Sequence, residues 1–160
     1  IERSLHDLAA RDGEKSFGYA FQQYRLARIE LASGNPDAAE QDLHDVIATL
    51  DPLLPADHSL RMQFEVMRGL IAKARGDLAG AQHAFEAAEA KPMPVPLEAA
   101  IVRMHLAGAL LARGDLAGAR AKLDASQPII EAALLPSAVE VVEVRGYAAE
   151  LAAREVVARR

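Results

Sequence analysis

The sequence predicts an all-α fold, an array of antiparallel helical hairpins, and three observations carry that prediction. The octapeptide ARGDLAGA stands at residues 74–81 and again, unchanged, at 112–119. It lies inside a longer recurring pattern. IELASGNPDAAEQDLHDV (29–46), LIAKARGDLAGAQHAFEA (70–87) and GALLARGDLAGARAKLDA (108–125) each place an apolar run before a Gly, then Asn or Asp, then a second helical run. Half of the chain is apolar, mostly Ala, Leu and Val with no Trp and seven Tyr plus Phe, a composition suited to closely packed helices.

Self-similarity at a long period is the mark of repeat architectures, in which each unit buries its apolar face against its neighbours. The repeated glycines are Gly34, Gly76 and Gly114, spaced 42 and 38 residues apart. A Gly just past an apolar periodic run ends a helix, because it takes the left-handed conformation without a Cβ clash. The residue after it, Asn35, Asp77 or Asp115, is placed to cap the next helix through its side-chain oxygen. Arg75 and Arg113 then fall at helix C-termini, where a cation meets the negative end of the dipole. Ala39, Ala81 and Ala119 permit close helix approach, and Leu43, Phe85 and Leu123, four residues on, supply the larger side chain on the same face. On this reading Arg-Gly-Asp is a helical corner and not an exposed adhesion loop.

The elements follow in order. Residues 2–12 read as an unpaired helix, the second half of an earlier hairpin. Three hairpins span 17–50 (17–33 with 36–50), 59–90 (59–75 with 78–90) and 97–127 (97–113 with 116–127). The connectors DPLLPAD (51–57) and KPMPVP (91–96) hold five of the eight prolines. Pro128 and Pro136 bracket a short apolar stretch, IIEAALL, before a capping helix over 137–158, whose Val141, Val144, Ala148, Leu151 and Ala152 share one side. The whole of 1–160 is expected to form one repeat domain.

Charge and composition exclude several classes. Eighteen basic and 23 acidic residues give a formal charge of −5. The excess lies in residues 1–97, with ten basic against fifteen acidic; residues 98–160 balance at eight and eight. No basic footprint or aromatic platform for nucleic acid is present, so no nucleic-acid partner is expected. The apolar runs fall far short of the ~20 residues that span a bilayer, so no membrane insertion is expected. No cysteine is available for disulfides, thiolate metal sites or nucleophilic catalysis, which accords with a reducing, cytoplasmic setting. The numbering opens at Ile1 without a signal-like stretch and stops inside a helical pattern at Arg160, as expected for a fragment of a larger protein.

The pattern resembles the tetratricopeptide repeat, over roughly residues 17–127. Leu26-Ala27, Gly69 and Leu106-Ala107 match the Leu-Gly region of its first helix. The Gly-Asn and Gly-Asp turns match its corner, and Ala39/Leu43/Val46, Ala81/Phe85/Ala88 and Ala119/Leu123/Ser126 match its second helix. The early bulky position departs from the signature, with Gln23, Glu65 and Arg103. The long spacing and the linker LDPLLPADHSLRM (50–62) resemble the longer-repeat branch of kinesin light chains and bacterial signalling proteins. The resemblance implies a right-handed superhelical α-solenoid of about three hairpins with a flanking helix at each end. It implies a non-enzymatic module binding a protein or peptide partner, and the Ala- and Arg-rich composition suggests a bacterial signalling or regulatory protein. The alternative is homo-oligomerisation, as a homodimer, or intramolecular docking, with the groove filled by the C-terminal helix or a second copy.

In such arrays the first helix of each pair lines a concave face. Carried onto this chain, that face takes Phe21, Tyr24 and Arg28 from the first pair, Gln63, Val66, Met67, Leu70 and Lys73 from the second, and Ile101, Met104, His105 and Gly108 from the third. Methionines suit a groove that adapts to a peptide or helix; an equally available reading places the apolar members in the core between helices. The carboxylate clamp of co-chaperone relatives is absent, since its positions are Tyr24, Arg28, Met67, Ile101 and His105 and only Arg28 is cationic. The five histidines, 6, 44, 58, 83 and 105, form no metal or catalytic spacing, and no nucleotide or nucleophile-elbow motif occurs, so no cofactor, metal or catalytic residue is expected.

Overall fold

The computed structural model describes residue 13 and residues 16–158; the expected helix over 2–12 lies outside them. Among the described residues every regular element is helical: α1 (Phe17–Ala32), α2 (Pro36–Leu50), a 3-10 turn (Asp51–Leu53), α3 (Ser59–Ala74), α4 (Leu78–Glu89), α5 (Pro96–Arg113), α6 (Leu116–Ala133) and α7 (Val139–Ala158). Helices pair as α1 with α2, α3 with α4 and α5 with α6, each pair stacks on the next, and α7 packs on α6 and α5.

The corners explain the repeated octapeptide. Gly34, Gly76 and Gly114 have φ of 84°, 77° and 87°, the left-handed conformation that favours glycine. At each corner the following residue's N–H reaches five residues back, Asn35 to Glu30, Asp77 to Ala72 and Asp115 to Leu110, at 2.9–3.0 Å, closing a Schellman end. The Asp77 carboxylate then accepts from the Gly80 N–H at 2.8 Å, and Asp115 does the same for Gly118. A Cβ on Gly80 or Gly118 would lie 2.2 or 2.3 Å from that carboxylate, so the Gly in LAGA is the room the cap occupies. Asn35 does not cap α2; its amide donates to Glu30 at 2.8 Å instead. The residue at the Gly80 position there is Ala38.

Ala39, Ala81 and Ala119 are fully buried, and Leu43, Phe85 and Leu123 pack beside them. At the position facing the larger residue the three repeats carry Ala27, Gly69 and Ala107. The smallest of these accompanies the largest partner: a Cβ on Gly69 would lie 2.4 Å from the Phe85 ring. Close packing thus fixes volume jointly across the hairpin.

One boundary differs from the sequence reading. Pro128 does not end α6, which continues to Ala133. Pro128 and Asp124 both face solvent, where the carbonyl that the missing N–H leaves free is open to water, while Ile130, two residues on, is fully buried in the core. The 51–57 connector is held by Arg61, whose guanidinium donates to the Asp51, Leu54 and Pro55 carbonyls at 2.9 Å and pairs with the Asp51 carboxylate. Arg75 also does more than meet a helix dipole. It bridges to Asp37 and Glu40 of the preceding hairpin, at 2.5 and 2.6 Å.

Candidate peptide-binding groove

The first helices of the pairs, α1, α3 and α5, together with the start of α7, surround an open cavity of about 300 Å³. Tyr24 and Arg28 form its α1 wall, and Gln63, Val66, Met67 and Leu70 of α3 form its floor. Ile101 and His105 of α5 complete it. These are eight of the residues that helical spacing assigned to the concave face. Val66, Leu70 and Ile101 are partly buried and offer the apolar surface, whereas Met67 is almost wholly inside the core. Tyr24 is an anchor: its hydroxyl reaches the Gln63 carbonyl at 3.4 Å and its ring meets Phe64 edge-on at 6.0 Å, so burial pushes its pKa up despite nearby Arg28.

Four assigned residues lie elsewhere. Met104 is fully buried in the core, because α5 is enclosed by α4, α6 and α7 and presents less of its circumference to the concave side. Phe21 sits outside the cavity, 42 % exposed and stacked on Phe17 at 6.5 Å. Gly108 lies beneath the Tyr147 ring, where a Cβ would come within 2.5 Å. Lys73 donates to Tyr147 Oη at 2.6 Å and to Glu143 at 3.1 Å, so α3 is tied to α7 across α5. Burial opposes the Lys73 ammonium, but the Tyr147 and Glu143 contacts outweigh it and raise its pKa.

Four lining residues were absent from the sequence assignment: Met62, Val102, Glu98 and Glu140. Glu98 was legible, since it stands one helical turn before Ile101 and Val102. Glu140 was not, because only the docking of α7 brings its first turn to the cavity. His105 stacks on Phe85 at 5.4 Å, and its Nδ1 is buried without a hydrogen-bond partner. Burial lowers its pKa, with Glu143 and Glu140 pulling up and Lys73 pushing down. His58, by contrast, caps α3, its Nδ1 accepting from Leu60 N–H at 3.2 Å. Among the described residues no three His, Asp or Glu side chains gather in a metal-binding group, and no described helix is long and apolar enough to cross a membrane.

Stacked hairpins with left-handed glycine corners and a concave face built from the first helices define a tetratricopeptide-type repeat array. Residues 66–133 match the tetratricopeptide repeat family model, which begins at the floor of the groove and runs to the end of α6. The fold is similar to that of a Podosopora anserina kinesin light chain with nearly identical TPR-like repeats, at a TM-score of 0.63 and 19 % identity over 99 % of this chain and 85 % of that one. No curated protein matches the sequence. Tetratricopeptide arrays serve in general as protein interaction modules, and this chain shares their fold.

Proposed function

We propose that this chain is a non-enzymatic module that holds a short peptide or helix in the groove between α1, α3 and α5, as part of a larger signalling or regulatory protein. The observation that supports this reading is the open 300 Å³ cavity, whose partly exposed Val66, Leu70 and Ile101 form an apolar floor between polar walls. The Ala- and Arg-rich composition and the lack of cysteine favour a bacterial, cytoplasmic protein. A displayed library of random peptides, panned on the immobilised chain, tests the groove. Selected binders lose affinity for Val66→Glu and keep it for a variant altered on exposed Val156, both variants retaining helical circular dichroism. Binders indifferent to Val66→Glu refute the groove as the site.

A second reading, self-association, is favoured by the outer face of α7. Val139, Val142 and Val157 there are 70, 60 and 71 % exposed. Sedimentation equilibrium over a hundredfold concentration range decides it: a concentration-dependent mass that disappears with Val142→Lys supports this face as a dimer contact, and a constant monomer mass rejects it.

A further inference from the structure

We propose that the groove reads its peptide by charge order: an acidic group beside Arg28 at the α1 end, aliphatic side chains over the floor, and a basic group beside Glu98 and Glu140 where α5 and α7 begin. The inference rests on the groove being a peptide site and adds the chemistry of the occupant.

The carboxylates carry the argument. Ten of the described Asp and Glu side chains besides these two are half-buried or joined to a cation across helices, and each has a partner: Glu65 with Arg68, Glu89 with Arg103 and Lys122, Glu131 with Arg145, Glu143 with Lys73 and Tyr147, for example. Glu98 and Glu140 are half-buried and make no ion pair or hydrogen bond among the described residues, yet both line the same cavity. Each stands in the first turn of its helix, where the positive end of the dipole sustains a carboxylate. The dipole accounts for how the charges persist there, and leaves both carboxylates free to accept from a ligand. At the opposite wall Arg28 is exposed and without an ion pair among the described residues. Lys73, the other cation first placed on this face, is engaged by α7.

His105 is a further polar residue at the basic-reading end. Among the described residues His105 Nδ1 is the buried side-chain nitrogen or oxygen that lacks a hydrogen bond, and His105 lines the cavity beside Glu140 and Glu98. A buried polar atom is costly to leave unpaired.

Libraries of peptides of about a dozen residues, with the spacing between charged positions varied, test the order. Panning is followed by fluorescence anisotropy of the selected binders. Expected are binders with Lys or Arg at one end, Asp or Glu at the other, and aliphatic residues between. Glu98→Gln with Glu140→Gln abolishes the basic preference while the helical spectrum is kept, and Glu98→Lys with Glu140→Lys reverses it, each by about tenfold in affinity. Groove binders whose charge is random, or whose basic preference survives both double variants, overturn the charge order and leave the groove reading standing. Failure to obtain any binder sensitive to Val66→Glu overturns the groove reading, and this proposal with it.

Discussion

Lys73 Nζ lies 2.6 Å from the hydroxyl of Tyr147, and the two residues come from α3 and α7, which do not follow one another in the chain. The Tyr147 hydroxyl in turn donates to Glu143 at 2.5 Å, and Lys73 stands 5.3 Å from the ring centroid. The bridge passes over α5 at Gly108, the one place where α5 has no side chain to obstruct it.

Gly108→Ala is expected to push Tyr147 out of this bridge. Its Cβ would fall 2.5–2.8 Å from the ring, so the cost is that of an overpacked contact, about 1–3 kcal/mol. Urea unfolding measures it. Tyr147→Leu removes the obstructing atoms, so the double variant is expected to be more stable than the sum of the two single losses implies. Strict additivity would mean that the ring and the glycine are not coupled.

Gly69 and Phe85 make a similar pair inside the core. Gly69→Ala places a methyl 2.4–2.8 Å from the Phe85 ring and is expected to cost about 1–3 kcal/mol. Phe85→Leu in the same chain reproduces the Ala-with-Leu pairing of the flanking repeats and recovers part of the loss. Thermal unfolding of the four-member cycle reads the coupling; no recovery would show that Phe85 is needed for contacts beyond Gly69.

The cap glycines give a further non-additive prediction. Asp115→Ala is expected to cost about 1 kcal/mol through the lost cap. Gly118→Ala gains up to about 1 kcal/mol of helix propensity but displaces the same carboxylate, and so changes stability little. In the Gly118→Ala background Asp115→Ala then costs almost nothing. Equal costs in both backgrounds would show that the carboxylate finds another place to bind.

His105 makes stability depend on pH. Its folded pKa is held below the ordinary 6.5, chiefly by burial, so between that lowered value and 6.5 the unfolded chain binds more protons and stability falls as pH falls. Glu143 adds a second loss at lower pH. Burial opposes its charge, but Tyr147, His105 and Lys73 hold its pKa below 4.5, so its contribution is present above that value and lost as pH falls through the depressed one. His105→Phe, which keeps a ring against Phe85, is expected to flatten the slope of denaturation midpoint between pH 7 and 5. An unchanged slope would assign the dependence to another group.

The sequence by itself determined the local chemistry of each hairpin. Glycine corners, capping aspartates and the Ala-to-large spacing act within one or two helical turns, so their consequences are written in adjacent residues. The exceptions are local as well: Asn35 bonds Glu30 instead of capping α2, and Pro128 lies on an exposed face that α6 continues past. Helical period also carried eight of the groove residues, because α1, α3 and part of α5 turn one stripe to the cavity. Tertiary structure decided the rest. Whether Met104 faces the groove or the core depends on how many helices enclose α5, which no spacing within α5 reveals. Whether Lys73 meets a ligand or Tyr147 depends on where α7 docks, and that is fixed by contacts such as Arg154 to the Leu111 carbonyl at 2.7 Å and Arg120 to Glu155 at 2.5 Å. Such contacts join residues far apart in the chain through the curvature of the stacked pairs. Glu140 reaches the groove for the same reason, as a consequence of how one helix lies across others.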